Sequence, residues 1–204
     1  MSSPKAVIFD LGQVLLEFDY HRAAATLGPL SQVPPAEFKR IIDQTPLLHR
    51  YETGLMTTQE FLAEVRSVTG YHGPEDLFHH TFGDIFWEIP DMIALQQRLE
   101  SSGIPTYIFS NTNELAIRKI RSKFPFFGGF TGYIYSYEVR SMKPDSRIYE
   151  AMEAMAGARG SDLVYIDDRL ENIQAGAARG WRALLHADPA VTIPEVHRYF
   201  GLKG

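Results

Sequence analysis

Four apolar runs each lead into residues that could do chemistry. Ala6-Val7-Ile8-Phe9 ends at Asp10, and Thr106-Tyr107-Ile108-Phe109 ends at Ser110-Asn111-Thr112-Asn113. Tyr133-Ile134-Tyr135 is followed a few residues on by Lys143-Pro144-Asp145, and Leu163-Val164-Tyr165-Ile166 ends at Asp167-Asp168. Three carboxylates, a hydroxyl, amides and a lysine are the parts that phosphoryl transfer requires. A carboxylate can attack phosphorus and carry the phosphoryl group. The transferring group spreads negative charge over its oxygens, so the site must supply positive charge and hydrogen-bond donors. Lys143 offers a point charge, and Ser110 with nearby backbone N–H groups offers donors. Adjacent acids such as Asp167 and Asp168 repel each other unless a cation lies between them. Mg²⁺ suits such a pair, because it takes oxygen ligands and keeps several waters.

These residues need a scaffold that brings them together. The apolar runs read as short strands, and Trp181 to Leu185 as a fifth; helical stretches fall at 90–99, 114–123 and about 146–156, and one after the fourth strand runs to about Ala178. Strands alternating with helices, each strand continuously apolar, predict an α/β fold: a Rossmann-like parallel sheet flanked by helices. Ligands of such sheets bind beyond the carboxyl ends of the strands, so the polar clusters should share one rim. The stretch from 18 to 88 has a different texture. Phe38, Ile41 and Ile42 fit one helical face, and Phe61, Leu62, Val65 and Val68 fit another. Thr57-Thr58-Gln59-Glu60 provides a hydroxyl cap with an acid three residues on. The expected organisation is a core of 1–17 and 89–204, with a small helical cap domain, 18–88, inserted after the first strand. Phe82, Phe86 and Trp87, at helical spacing, should pack this module or its hinge. His79-His80 lack helical ligand spacing and read as a surface pair. Arg118, Lys119, Arg121 and Lys123 read as a solvated basic face.

Composition excludes several classes. The chain has 204 residues and a net charge of −5, which argues against nucleic-acid binding. It has no cysteine, so disulfides, thiolate nucleophiles and cysteine metal sites are absent. No apolar run approaches the roughly 18 residues of a membrane span. The start does not read as a signal peptide, so a cytoplasmic location is expected. No glycine-rich nucleotide loop is present.

Taken in order, Phe9-Asp10-Leu11-Gly12-Gln13-Val14-Leu15, Ser110-Asn111, Lys143-Pro144 and Ile166-Asp167-Asp168-Arg169-Leu170-Glu171-Asn172 resemble the haloacid dehalogenase-like (HAD) hydrolase superfamily. Tyr51-Glu52-Thr53-Gly54, Ser110-Asn111-Thr112-Asn113 and Arg147-Ile148-Tyr149 are similar to its bacterial alpha-D-glucose-1-phosphate phosphatase-like subgroup. The resemblance implies a Mg²⁺-dependent phosphatase acting on a small phosphorylated metabolite, with a sugar phosphate as the expected substrate. It implies Asp10 as nucleophile and metal ligand, Gly12 as a carbonyl ligand and Asp168 as the second metal carboxylate. Ser110 and Asn111 would bind the phosphoryl group, and Lys143 would pair with Asp10 and the phosphate. Asp167 and Asn172 would support this set from behind. The inserted helices would close over the site, with Arg50, Tyr51 and Glu52 near the substrate.

One position departs from the pattern. Most phosphatases of the superfamily carry a second Asp two residues after the nucleophile, as general acid and base; here it is Gly12. Losing such a group typically costs on the order of 10²–10⁴-fold in rate. Glu17, Asp19 or His21 could replace it, or a stable leaving group, such as the anomeric oxygen of a sugar 1-phosphate, could reduce the need. The alternatives are a dehalogenase of the same fold, a catalytically silent binding protein and, last, a mutase.

Overall fold

The computed structural model describes residues 3–43 and 45–202. In chain order the elements are β1 (Ala6–Phe9), β2 (Leu16–Phe18), α1 (Tyr20–Leu27), α2 (Pro35–Ile42), α3 (Pro46–Glu52), α4 (Thr58–Thr69), α5 (Glu75–Gly83) and β3 (Phe86–Glu88). There follow α6 (Pro90–Ser101), β4 (Thr106–Ser110), α7 (Glu114–Lys123), β5 (Gly132–Tyr135), α8 (Ser136–Val139), α9 (Ser146–Ala156), β6 (Leu163–Asp167), α10 (Leu170–Ala178), β7 (Arg182–Leu185) and α11 (Pro189–Phe200).

The five apolar runs form one parallel sheet in the order β5-β4-β1-β6-β7. Their side chains alternate between two cores. Val7, Phe9, Ile108, Val164 and Ile166 enter one, and Ala6, Ile8, Tyr107, Phe109, Leu163 and Tyr165 enter the other. Burial on both faces is why β1, β4 and β6 are near-continuous apolar runs rather than alternating. Each fully buried Val, Ile or Phe contributes about 1.5–3 kcal/mol. Phe9 stands opposite Ile108 on one side and Ile166 on the other, so the next residues, Asp10, Phe109 and Asp167, lie side by side at the rim. The chain runs outward from β1 in both directions, and this reversal of strand order marks the ligand crevice.

Five helices, α1 to α5, separate β2 from β3, which pair with each other as an antiparallel ribbon. Thr57 supplies the expected hydroxyl cap of α4, and the Glu60 side chain returns a bond to the Thr57 backbone N–H, making the cap reciprocal. Several expectations are corrected here. Val68 is 49% exposed, although it continues the apolar stripe of Phe61, Leu62 and Val65. Phe86 and Trp87 lie in β3 and not in a helix, because α5 stops at Gly83. His79 is half-buried, and its Nε2 has no hydrogen-bond partner. The basic face of α7 is only partly solvated: Lys119 and Lys123 hold Asp84 at 3.3 and 2.7 Å, and Arg121 lies over the rings of Tyr133 and Tyr135. The ribbon and α11 had no counterpart in the sequence reading. No helix among the described residues is long and apolar enough to cross a membrane.

Candidate active site

Asp10 ends β1 and is buried at the centre of the rim. Its backbone N–H continues the sheet by donating to Ile166 O at 2.9 Å. Its Oδ1 accepts from Leu11 N at 2.7 Å and lies 3.0 Å from Lys143 Nζ. Lys143 also donates to Asp167 Oδ2 at 2.6 Å and to Phe109 O at 2.8 Å. The three N–H donors of its ammonium are therefore all engaged within the protein, and a phosphate could reach one only by sharing it. The ammonium also sits 5.1 Å from the centre of the Phe109 ring.

Asp167 is the most thoroughly held of the acids. Besides Lys143, it accepts from the Tyr165 hydroxyl, from Arg169 N at 2.8 Å and from Asn172 Nδ2 at 3.0 Å. Asn172 is fixed in turn, because Tyr149 donates to its carbonyl at 2.8 Å. Burial works against the Asp167 charge, but the Lys143 cation and the hydrogen bonds hold its pKa below the usual value. This acid is spent on orienting Lys143. Burial pushes the Asp10 carboxyl up to about 7; Lys143 opposes the shift, and Asp167 and Asp168 add to it. Asp168 is half-buried and lines the cavity, and burial followed by Asp167 raises it too. Asp10, Asp167 and Asp168 each offer an oxygen within 4.8 Å of the others. Such a crowd of hard oxygen donors fits a divalent cation such as Mg²⁺.

These residues form the floor of a cavity of about 940 Å³. Ser110 is buried at its edge, and its hydroxyl makes only a long 3.4 Å contact with Asn111 O. That hydroxyl is available to a ligand. Asn111 also lines the cavity, but its amide is engaged with the backbone of Lys143. The opposite wall comes from Phe18, Tyr20, Leu48, Arg50, Glu52 and Phe86. Asp10, Gly12, Ser110, Asn111, Lys143, Asp168 and Asn172 thus share one space, with Asp167 buried behind them.

Gly12 leaves no empty slot for an acid. A Cβ built there would lie 2.9 Å from Phe18 Cε1, so the aromatic ring fills that position. The three residues suggested as replacements do not line the cavity. Glu17 is exposed and accepts from Trp87 Nε1 at 2.6 Å; Asp19 caps α1 by accepting from His21 N; His21 is exposed. Sequence reasoning missed Tyr165, Tyr149 and Ser136. Ser136 accepts from Thr112 N at 2.9 Å and donates to the backbone carbonyl of Glu52, joining β4's exit to α3. No local pattern announces contacts between residues so far apart in the chain.

Comparison with known proteins gives the same assignment. A sesquiterpene phosphatase of Aspergillus oryzae, astK, is 26% identical over 203 residues, 97% of each chain. A HAD family enzyme of Bacteroides thetaiotaomicron, solved with magnesium and inorganic phosphate, superposes with a TM-score of 0.80 at 21% identity, over 90% of this chain and 94% of that one. A HAD-like hydrolase structure from Porphyromonas gingivalis gives 0.81 at 19% identity, over 98% of both. The haloacid dehalogenase-like hydrolase sequence model matches residues 4–180, and the chain belongs to that family.

Proposed function

We propose that the protein is a Mg²⁺-dependent phosphatase of a small phosphorylated metabolite, working through an aspartyl-phosphate intermediate. The observation that carries this reading is the placement of Asp10: a buried carboxylate held at 3.0 Å by Lys143, with Asp167 and Asp168 oxygens within 4.8 Å and the Ser110 hydroxyl on the same cavity floor. The sesquiterpene phosphatase relative, and an enolase-phosphatase of Monosiga brevicollis 25% identical over 137 residues, support it. So does the magnesium and phosphate bound to the Bacteroides structure.

Asp10, Asp168 and the carbonyl of Gly12 would hold the cation, which supplies charge neutralisation between an anionic nucleophile and an anionic substrate. Asp10 attacks phosphorus in line, and the ester bond breaks on the far side. Ser110 donates to a phosphoryl oxygen. Lys143, fixed by Asp167 and Phe109 O, favours the ionised form of Asp10 against its burial and holds it in place. Water then hydrolyses the aspartyl phosphate. The inserted helices act as a cap that limits the volume left for the leaving group.

Asp43 and Asn113 on the cavity wall suit a sugar phosphate. Phe18, Tyr20, Leu48 and Phe86 suit an apolar alcohol, as in the sesquiterpene phosphatase relative. The test is phosphate release from p-nitrophenyl phosphate, hexose 1- and 6-phosphates and a sesquiterpenyl phosphate, with Mg²⁺ or EDTA, for wild type and Asp10→Asn. Metal-dependent release that is lost in the variant is expected. No release from folded, metal-loaded wild type overturns the reading.

A further inference from the structure

The leaving group of a phosphate ester departs as an alkoxide unless something protonates it. In this chain position 12 cannot, and Phe18 occupies the space beside it. In-line attack by Asp10 puts the leaving oxygen on the side of phosphorus away from the sheet, where α1 and α3 wall the cavity. The proton donor must therefore be sought on that wall.

Few groups there qualify. Asp43 is ion-paired with Lys39 at 2.8 Å. Arg50 is engaged with both oxygens of Glu64 at 3.0 Å. The Tyr20 phenol is pushed well above its usual range by burial, with Glu52 adding to the shift. His49 is exposed. Glu52 ends α3, is half-buried and lines the cavity. Its carbonyl is tied through Ser136 to Thr112, and the neighbouring Asn113 side chain favours its charged form. Thr112 and Asn113 continue directly from Ser110 and Asn111, so Glu52 is anchored against the segment that faces the phosphoryl group.

We propose that Glu52 is the general acid of this site, protonating the leaving oxygen in place of the carboxyl that Gly12 lacks. The proposal rests on the phosphatase reading. In the first half, an Asp10 oxygen forms a bond to phosphorus. The ester P–O bond breaks with its electron pair going to the leaving oxygen, which takes the Glu52 proton. In the second half, water in the leaving group's place gives a proton to the Glu52 carboxylate as its oxygen bonds to phosphorus, and the P–O bond to Asp10 breaks with its pair returning to Asp10. The sum is ester plus water to alcohol plus phosphate, with both carboxyl groups restored. The groups around Glu52 allow this cycle. Burial pushes it up to about 7, Asn113 and Arg169 pull it down, Asp43 pushes it up, and Tyr20 faces it as a neutral phenol.

The experiment compares kcat/KM for p-nitrophenyl phosphate, whose leaving group needs no proton, with that for a hexose 6-phosphate, whose leaving group does. It uses wild type, Glu52→Gln and His49→Gln with Mg²⁺. Glu52→Gln should slow the hexose phosphate by on the order of 10²–10⁴-fold and the nitrophenyl ester by less than about tenfold. His49→Gln should leave the ratio of the two unchanged. Equal losses on both substrates, no loss on either, or a ratio changed by His49→Gln instead, would overturn the assignment. If Glu52→Gln does not fold, the wild type decides. A shallow dependence of kcat/KM on leaving-group basicity supports an acid, and a steep one refutes it. Absence of turnover on both esters in wild type removes the phosphatase reading itself.

Discussion

The side-chain amide of Asn111 and the peptide of Lys143 hydrogen-bond each other twice: Asn111 Nδ2 donates to Lys143 O at 3.0 Å, and Asn111 Oδ1 accepts from Lys143 N at 2.8 Å. The pair locks the backbone that carries the lysine to the end of β4. From there the ammonium reaches Phe109 O, Asp10 and Asp167. Asn111 therefore acts on the lysine, while Ser110 beside it keeps a free hydroxyl.

Replacing Asn111 by Ala leaves a peptide donor and acceptor unmet in a mostly buried place. The expected loss is about 1–3 kcal/mol. Thermal unfolding should show it, with a fall in kcat/KM as Lys143 loosens. Asn111→Asp should be worse, because a carboxylate oxygen would face the Lys143 carbonyl. An unchanged melting temperature in Asn111→Ala would show that the pair of hydrogen bonds adds nothing.

The Lys143 side chain is 1% exposed and that of Asp167 is fully buried. Removing one partner of such a pair strands the other charge. Lys143→Met should therefore cost about 3–5 kcal/mol in urea unfolding. The double variant Lys143→Met with Asp167→Asn should cost less than the sum of the singles, since no buried charge remains unpaired at Asp167. Strict additivity would mean that the two side chains do not act as a unit.

Gly54 follows α3 with φ +68°, and a Cβ there would sit 2.1 Å from the carbonyl oxygen of Tyr137. The helical insert and α8 meet at this point, beside the link from Ser136 to Glu52. Gly54→Ala must either strain a left-handed residue, at about 1–3 kcal/mol, or move α3 off α8. Faster amide hydrogen exchange in residues 46–54 and 136–139 is expected, together with lower stability. Exchange rates like those of wild type would rule out the close approach as a constraint.

What could be read in the sequence follows from how local the signals are. β1, β4 and β6 are buried on both faces, so each is a continuous apolar run and its end is easy to find. Asp10, Ser110 and Asp168 stand at or next to those ends, and Lys143 follows β5 a few residues on. β2 and β3 hold three residues each, and Glu17 meets Trp87 from 70 positions away, which no periodicity reveals. That ribbon is also why Glu17 and Asp19, near Asp10 in the chain, lie outside its cavity. α11 was hidden by Pro194 within it, although Asp188 caps it and Pro189 opens it. Ser136 reaches Glu52 across 84 positions, so the anchoring of that acid is a property of the fold alone. Val68 shows the opposite failure, since it fits the apolar stripe of α4 and yet faces solvent.

The titration of Glu52 gives opposite-looking but consistent trends in activity and stability. Its pKa is raised from 4.5 to about 7, chiefly by burial. Above that value the protonated fraction falls about tenfold per pH unit. kcat/KM for a hexose 6-phosphate should fall accordingly, relative to that for p-nitrophenyl phosphate, and Glu52→Gln should flatten the ratio. For stability, the folded state holds this proton where the unfolded state has released it, between pH 4.5 and about 7. The slope of unfolding free energy with pH is therefore negative in that window. The stability from Glu52 is full below 4.5 and is lost as pH rises through about 7. Urea midpoints for metal-free wild type and Glu52→Gln, taken from low to neutral pH, isolate this contribution. The wild type should lose stability relative to the variant as pH rises. A constant difference across the window would show that Glu52 titrates alike in both states and holds no proton to give at neutral pH.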